Sequence, residues 1–251
     1  MATLSYAADL GLGQPMEHCM RQTVIALRLA DLAGASAPER EATYYLGLMM
    51  NVYCHADAAE QARWFGDDIS FKGAAFDTLD MSTAGSIAFL VRRLSSHGSG
   101  MARARRLATF PISGQKQMLS FLNTHSTLGS QFAERIGLGD AARDAIGQAY
   151  EQWDGKGQPG LLRGAEVCLP ARLVHLASPV EVFGRRGVEA ARTIARRHSG
   201  TEFDPAVVEL RGFEPLTPSM RTRCATGLRY SPAERRTEYQ GPAGGRGGVS
   251  R

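Results

Sequence analysis

The 251-residue chain contains few cysteines and lacks any long hydrophobic run. Its four cysteines form no C-x-x-C pair, which disfavours a sulfur-ligated metal site and indicates buried, reduced thiols. They are Cys19, Cys54, Cys168 and Cys224. The apolar run from Tyr44 to Met50 is far too short to cross a bilayer. Residues 1–13 have neither a basic start nor an apolar segment, so we expect no signal peptide and a cytoplasmic protein.

The net charge of +4 is confined to the C-terminal segment, because residues 212–251 hold seven arginines against three glutamates. Residues 1–211 are therefore neutral overall and offer no electrostatic case for binding nucleic acid. The segment 212–251 has no periodicity, and its composition predicts a disordered basic tail. Gly212–Pro218 can be encoded by the complement of the T-arm sequence of a transfer-RNA gene. One hypothesis is therefore that the reading frame runs through such a gene, so that the tail is not native protein and the chain is truncated. We divide the chain into a helical domain, 1–211, and this tail.

Apolar residues recur at helical spacing along most of residues 1–211, which predicts an all-α bundle. Ser36 and Glu39 form a capping box, and Asp57 is expected to cap a short helix ending at Phe65. The predicted helices are Met16–Ala33 (opened by Pro15), the one following Ser36, Phe76–Leu94 (broken near Gly85), Leu119–Ile136, the one following Asp140 and Val188–His198. Residues 67–73 are expected to be a polar connection. The arginine-flanked segment 95–100 is expected to be a flexible loop, solvated or in contact with phosphate.

The segment from Tyr150 to Gly164 crowds glycines and a proline into one loop. By itself it indicates a rigid turn with solvated acids. It also resembles the signature of the HD-GYP branch of the HD superfamily of metal-dependent phosphohydrolases. The matching residues are Glu151, Asp154, Gly155, Gly157 and Pro159, whereas Gln158 replaces a tyrosine and Ala149-Tyr150 replace two histidines.

Further segments carry the same resemblance, which extends from about His18 to Leu210. His125-Ser126-Thr127-Leu128-Gly129 is similar to the family's His-Pro-x-x-Gly element. Cys168–Ser178 resembles the helix whose final aspartate closes the metal site, and here Ser178 stands in its place. Gly200–Pro205 resembles the family's Gly-Thr-x-Phe-Asp-Pro ending, which implies that Asp204 and Pro205 cap the last helix. The chain also resembles the first, degenerate HD-like half of actinobacterial LuxR-type regulators.

The resemblance implies an HD-type helical bundle around two or three Fe or Mn ions that cleave cyclic di-GMP. Only His18 and His125 match metal ligands of the family. The residue pattern alone leaves His18 open as either a core histidine or a metal ligand. The family's His-Asp doublet falls on Met50-Asn51, and a methionine thioether suits hard divalent ions poorly. We therefore expect no catalytic residue, no bound metal and no cofactor. We expect a vestigial pocket containing Asn51, Glu151, Asp154 and Ser178.

The sequence thus predicts a non-catalytic regulatory, sensor or interaction domain from a signalling regulator. A homodimer, a regulatory protein partner and a small-molecule ligand are all compatible with it; a membrane partner is not expected. The alternative is a metal-dependent HD phosphohydrolase of the cyclic di-GMP phosphodiesterase type. It would use Fe or Mn on His18, His55, His125 and Asp57. An RNA-binding role would depend on the tail alone.

Overall fold

The computed structural model describes residues 2–210, apart from the side chains of Ala2 and Gln115. The predicted tail and its boundary at residue 212 lie outside the described residues. Regular structure within residues 2–210 is helical, with isolated bridges but no β-strand, so the all-α prediction is confirmed. The helices are α1 (Ala2–Gly11), α2 (His18–Leu32), α3 (Ala37–Met49), α4 (Ala58–Phe65), α5 (Asp68–Ala75), α6 (Thr83–Leu94), α7 (Gly100–Thr109), α8 (Gln115–Arg135), α9 (Asp140–Gly147), α10 (Leu169–Gly184), α11 (Val188–Arg197) and α12 (Pro205–Val208).

None of the helices within residues 2–210 has the length and apolar character that a membrane span requires.

Local capping explains where several helices begin. Ser36 donates its backbone N–H to the Glu39 carboxylate at 2.8 Å, which completes the predicted capping box of α3. Asp204 accepts the backbone N–H of Ala206 at 2.8 Å and caps α12. These contacts lie within a few residues of each other, so the sequence pattern alone is sufficient to predict them.

Other predicted boundaries are wrong. Pro15 does not open α2, which begins at His18 after Glu17 turns the backbone with a φ of 74°. The expected polar connection at residues 67–73 is mostly α5, because Asp67 accepts the backbone N–H of Ser70 at 3.0 Å. The break expected near Gly85 lies at residues 81–82 instead, where a 3₁₀ turn ends and α6 starts.

The sequence did not predict α1 or α7. The N-terminal α1 is held by Asp9, which accepts the backbone N–H of Cys19 at 2.9 Å. The segment expected to be a flexible basic loop is short, because Ser99 caps α7 by accepting from Ala102. Arg106 of α7 donates its Nε–H to the carbonyl of Leu94 at 2.9 Å and ties this turn to the end of α6. Long-range contacts therefore order a segment whose composition favours a loop.

Two separate groups of apolar side chains stabilise the described residues. The main core joins α2, α3, α9, α10 and α11 and includes Leu29, Leu46, Ile146, Leu173 and Phe183. A smaller core, formed by Phe65, Leu94 and Phe110, lies under α4, α6 and the turn after α7. Several polar side chains described next are also buried, among them His18, Asp57, His125 and Glu181.

Candidate functional site

His18 lies in a buried ionic group that we call the Glu181 cluster (His18, Arg21, Glu181 and Arg185). The His18 side chain is fully buried, and its Nδ1 lies 2.6 Å from Oε2 of Glu181. Arg21 donates Nε–H to the other oxygen, Oε1, also at 2.6 Å. Arg185 follows Glu181 by one helical turn and binds the same carboxylate. His18 is therefore a core histidine, paired with a carboxylate instead of a carbonyl.

The contacts of the Glu181 cluster favour the ionised form of the Glu181 carboxyl group. Burial opposes ionisation of Glu181, but the contacts with His18 and Arg185 outweigh it and lower the pKa of Glu181 to about 2. Nε2 of His18 is buried without a hydrogen-bond partner. Sequence analysis missed Glu181, although it follows the singled-out Ser178 by three residues on α10 and so shares its face of the helix.

A second buried group, the His125 cluster (Asn51, Cys54, Asp57, His125 and Tyr150), lies where α3, α4 and α8 meet the signature loop. Cys54 Sγ is 4.0 Å from both His125 Nδ1 and Asn51 Oδ1. It is also 3.8 Å from the hydroxyl of Tyr150, which donates to the carbonyl of Met50 at 2.7 Å. Tyr150, which stands where the resembling family has a histidine, therefore links the end of α3 to the loop.

Asp57 and His125 form a buried pair within this cluster. Asp57 Oδ1 and His125 Nε2 are 3.4 Å apart, and neither atom makes a hydrogen bond of good geometry. Burial disfavours the imidazolium, but the Asp57 carboxylate and the Cys54 thiol outweigh it and raise the pKa of His125 to about 9. The prediction that Asp57 caps α4 is wrong about the side chain, because it accepts from Gln61 and faces His125 instead.

The two carboxylates of the signature loop build the loop itself. Glu151 is buried and accepts the backbone N–H groups of Gly160 and Leu161 at 3.1 and 3.0 Å. Asp154 accepts from the backbone of Lys156 at 3.0 Å and pairs with its ammonium group at 2.8 Å. Gly157 is required because a Cβ there would lie 2.3 Å from the backbone nitrogen of Gln152. This part of the motif is a rigid turn.

Residues that the resemblance places in one pocket have different hydrogen-bond and ion-pair partners in the structure. Asn51 and His125 share the His125 cluster, whereas His18 belongs to the Glu181 cluster. Ser178 is buried on α10, and Glu151 and Asp154 hold the loop. His55 is exposed and its Nε2 lies 3.1 Å from the carbonyl of Ala7, so the ligand set of His18, His55, His125 and Asp57 does not assemble.

The donor atoms do not fit the binuclear Fe or Mn centre that the resemblance implies. Among residues 2–210, no group of three or more histidine, cysteine, aspartate or glutamate side chains is placed to hold a metal ion. Asp57 and His125 supply one carboxylate and one imidazole, with the softer thiol of Cys54 beside them. In the other cluster, the Glu181 carboxylate is already bound by two arginines and His18.

Comparison with known proteins identifies one curated relative and one solved structure of interest. The chain is 27% identical over 245 residues to the 3'3'-cGAMP-specific phosphodiesterase 3 of Vibrio cholerae serotype O1, covering 97% of this chain and 52% of that protein. The crystal structure of a cyclic GMP-AMP-specific phosphodiesterase from V. cholerae matches 83% of this chain with a TM-score of 0.56 at 24% identity. The chain shares the fold of this phosphodiesterase.

The match covers 46% of the crystallised phosphodiesterase, so the chain spans about half the length of the relatives it matches. No protein-family model matches it. The similarity nevertheless supports the resemblance to HD-type phosphohydrolases that the loop and helix motifs indicate.

Proposed function

We propose that this chain is a phosphodiesterase-type helical domain that serves cyclic-dinucleotide signalling. The observation that carries the proposal is the match to a 3'3'-cGAMP-specific phosphodiesterase along 97% of the chain. By itself this match supports the phosphodiesterase alternative better than the non-catalytic regulatory domain that the sequence predicts, whereas the donor atoms of residues 2–210 argue against hydrolysis by this chain. The fold that the chain shares with the matched part of the crystallised phosphodiesterase supports it further.

Within that class, we propose that the chain has a supporting role and does not itself hydrolyse the nucleotide. Hydrolysis in the implied family needs several metal ligands around an activated water. Within each of the two clusters of residues 2–210, the polar side chains are instead held by ion pairs and hydrogen bonds to protein groups. Because the matched V. cholerae protein is about twice as long as the matched region, its activity does not have to reside in that region.

The second candidate is hydrolysis by this chain, and one observation favours it. Asp57 Oδ1 and His125 Nε2 face each other at 3.4 Å without a hydrogen bond of good geometry, so a cation that displaced the His125 proton would meet one buried oxygen and one buried nitrogen. A metal centred there would take one oxygen and one nitrogen from the protein and the remaining ligands from water or phosphate. The two candidates therefore differ in a measurable quantity, the metal content of the purified chain.

The discriminating experiment is metal analysis combined with a hydrolysis assay. The purified chain is analysed for Fe, Mn and Zn, and 3'3'-cGAMP and cyclic di-GMP are incubated with it in the presence of added Mn²⁺ or chelator. A supporting domain gives well under one metal per chain and no turnover. The second candidate would be established by near-stoichiometric metal together with measurable turnover. Chelator and Asp57→Asn should then abolish that turnover, and the exposed control Asp140→Asn should preserve it.

A further inference from the structure

An open groove of about 680 Å³ lies on the surface between α4, α7 and the start of α8. Helix α4 contributes Glu60, Arg63 and Trp64, and α7 contributes Arg105 and Arg106 to the lining. The volume lies within the roughly 300–1,000 Å³ typical of sites for small molecules. The groove contains no residue of the Glu181 or His125 cluster and belongs to the part of the molecule stabilised by the smaller core.

The groove carries an excess of positive charge that the described residues do not neutralise. Three arginines line it against the single carboxylate of Glu60. Arg63 and Arg105 are exposed and form no ion pair with any carboxylate in residues 2–210. Some exposed arginines elsewhere are paired, as Arg197 is with Asp80 at 2.8 Å, whereas others such as Arg92 stand outside this groove. Two guanidinium groups without a carboxylate partner that line one groove from different helices favour an anionic ligand.

The remaining lining is held in place by its own contacts. Trp64 donates its Nε1–H to Oε1 of Gln117 at 3.2 Å, and its ring packs edge-on against Phe110 with centroids 5.2 Å apart. Arg106 is fixed by the carbonyls of Leu94 and His97 and leaves the anion to the other two arginines. The groove therefore presents a fixed aromatic ring beside two free cations. Aromatic rings in such sites bind bases by stacking, and guanidinium groups bind phosphate.

We propose that this groove binds a phosphate-bearing nucleotide, with Arg63 and Arg105 contacting phosphate and Trp64 contacting the base. The site goes beyond the function proposed above, because it needs no metal ion and lies apart from the buried clusters. It gives the domain a place to sense a nucleotide without cleaving it. The neutral overall charge of residues 1–211 favours a small ligand over a nucleic acid, which requires an extended basic surface.

The test is titration of the full chain, in chelator, with 3'3'-cGAMP, GMP, inorganic phosphate and a short single-stranded RNA. Chelator excludes metal-dependent hydrolysis, so this result is independent of the activity assay above. Arg63→Gln and Arg105→Gln should each weaken nucleotide binding by about tenfold. The matched control is Arg92→Gln, an exposed arginine on α6 outside the groove, with an expected change of less than about twofold. Circular dichroism of each variant verifies the fold.

Saturable binding of either nucleotide with this pattern of variants supports the site. Three results overturn it: no binding of either nucleotide at millimolar concentration, equal affinities for GMP and inorganic phosphate, or nucleotide affinities that Arg63→Gln and Arg105→Gln leave unchanged. Tighter binding of RNA than of the nucleotides, weakened as much by Arg92→Gln as by the groove variants, also overturns it. That result would indicate a general basic surface.

Discussion

Replacement of Glu181 by glutamine removes the carboxylate that joins α2 to α10. The pKa of Glu181 falls from 4.5 to about 2 in the folded chain. A tenfold change in an ionisation constant corresponds to about 1.4 kcal/mol, so this difference corresponds to roughly 3 kcal/mol of stability at neutral pH. A loss of unfolding free energy of the same order, about 3–5 kcal/mol, is typical when one partner of a buried ion pair is removed and the other charge is left unpaired. Arg21 and Arg185 remain partly exposed, at 20% and 23%, which favours the lower end.

The pH dependence has a definite sign. Because the pKa of Glu181 is lowered by folding, its contribution is complete above the unfolded value of 4.5 and is lost as the pH falls towards 2. The difference in unfolding free energy between wild type and Glu181→Gln should therefore be roughly 3 kcal/mol at pH 7 and about 1 kcal/mol at pH 3. Urea unfolding followed by circular dichroism at both pH values measures it.

Glu189→Gln is the matched control, because Glu189 pairs with Arg192 at an 80% exposed position of α11. Its effect should stay below about 0.5 kcal/mol at either pH. A Glu181→Gln effect below about 1 kcal/mol at pH 7, or one of equal size at pH 3, would refute the assignment of this carboxylate as an ionic link between helices.

Two further predictions concern the His125 cluster and the loop. An NMR titration of His125 should give a pKa near 9, and this pKa should fall in Asp57→Asn. The stabilisation from the pair is therefore present below pH 6.5 and is lost as the pH rises towards 9. A wild-type pKa at or below 6.5 would contradict this prediction. Gly157→Ala should destabilise the chain by about 2 kcal/mol or more, because the added Cβ meets the backbone of Gln152 at 2.3 Å. The control Gly147→Ala, where a Cβ meets nothing within 4 Å, should leave the melting temperature unchanged or raised.

Features that depend on neighbouring residues were predictable from the sequence. The Ser36–Glu39 capping box and the Asp204 cap need only a few consecutive residues, and both form as predicted. The resemblance placed a helix at Cys168–Ser178, where the structure has α10, which continues to Gly184. The resemblance placed Met50 and Asn51 at the end of α3, where the structure has them.

Features that depend on distant partners were not predictable. Asp57 is well placed in the sequence to cap α4, but His125, which is far along the chain, draws its carboxylate away from the helix end. The turn after α6 reads as a flexible loop because nothing nearby indicates that Arg106 will bind its carbonyls. Both outcomes follow from tertiary contacts that local propensity does not contain.

The hydroxyl of Tyr150 determines what a substitution at this position would cost in stability. Its hydrogen bond to the carbonyl of Met50 joins two segments on which, in the resembling family, metal ligands reside. Restoring a histidine at position 150 would break that bond and strand a carbonyl before any metal ligand set were complete. Matching the family's ligand pattern at this one position would therefore cost stability before a full set of metal ligands was present.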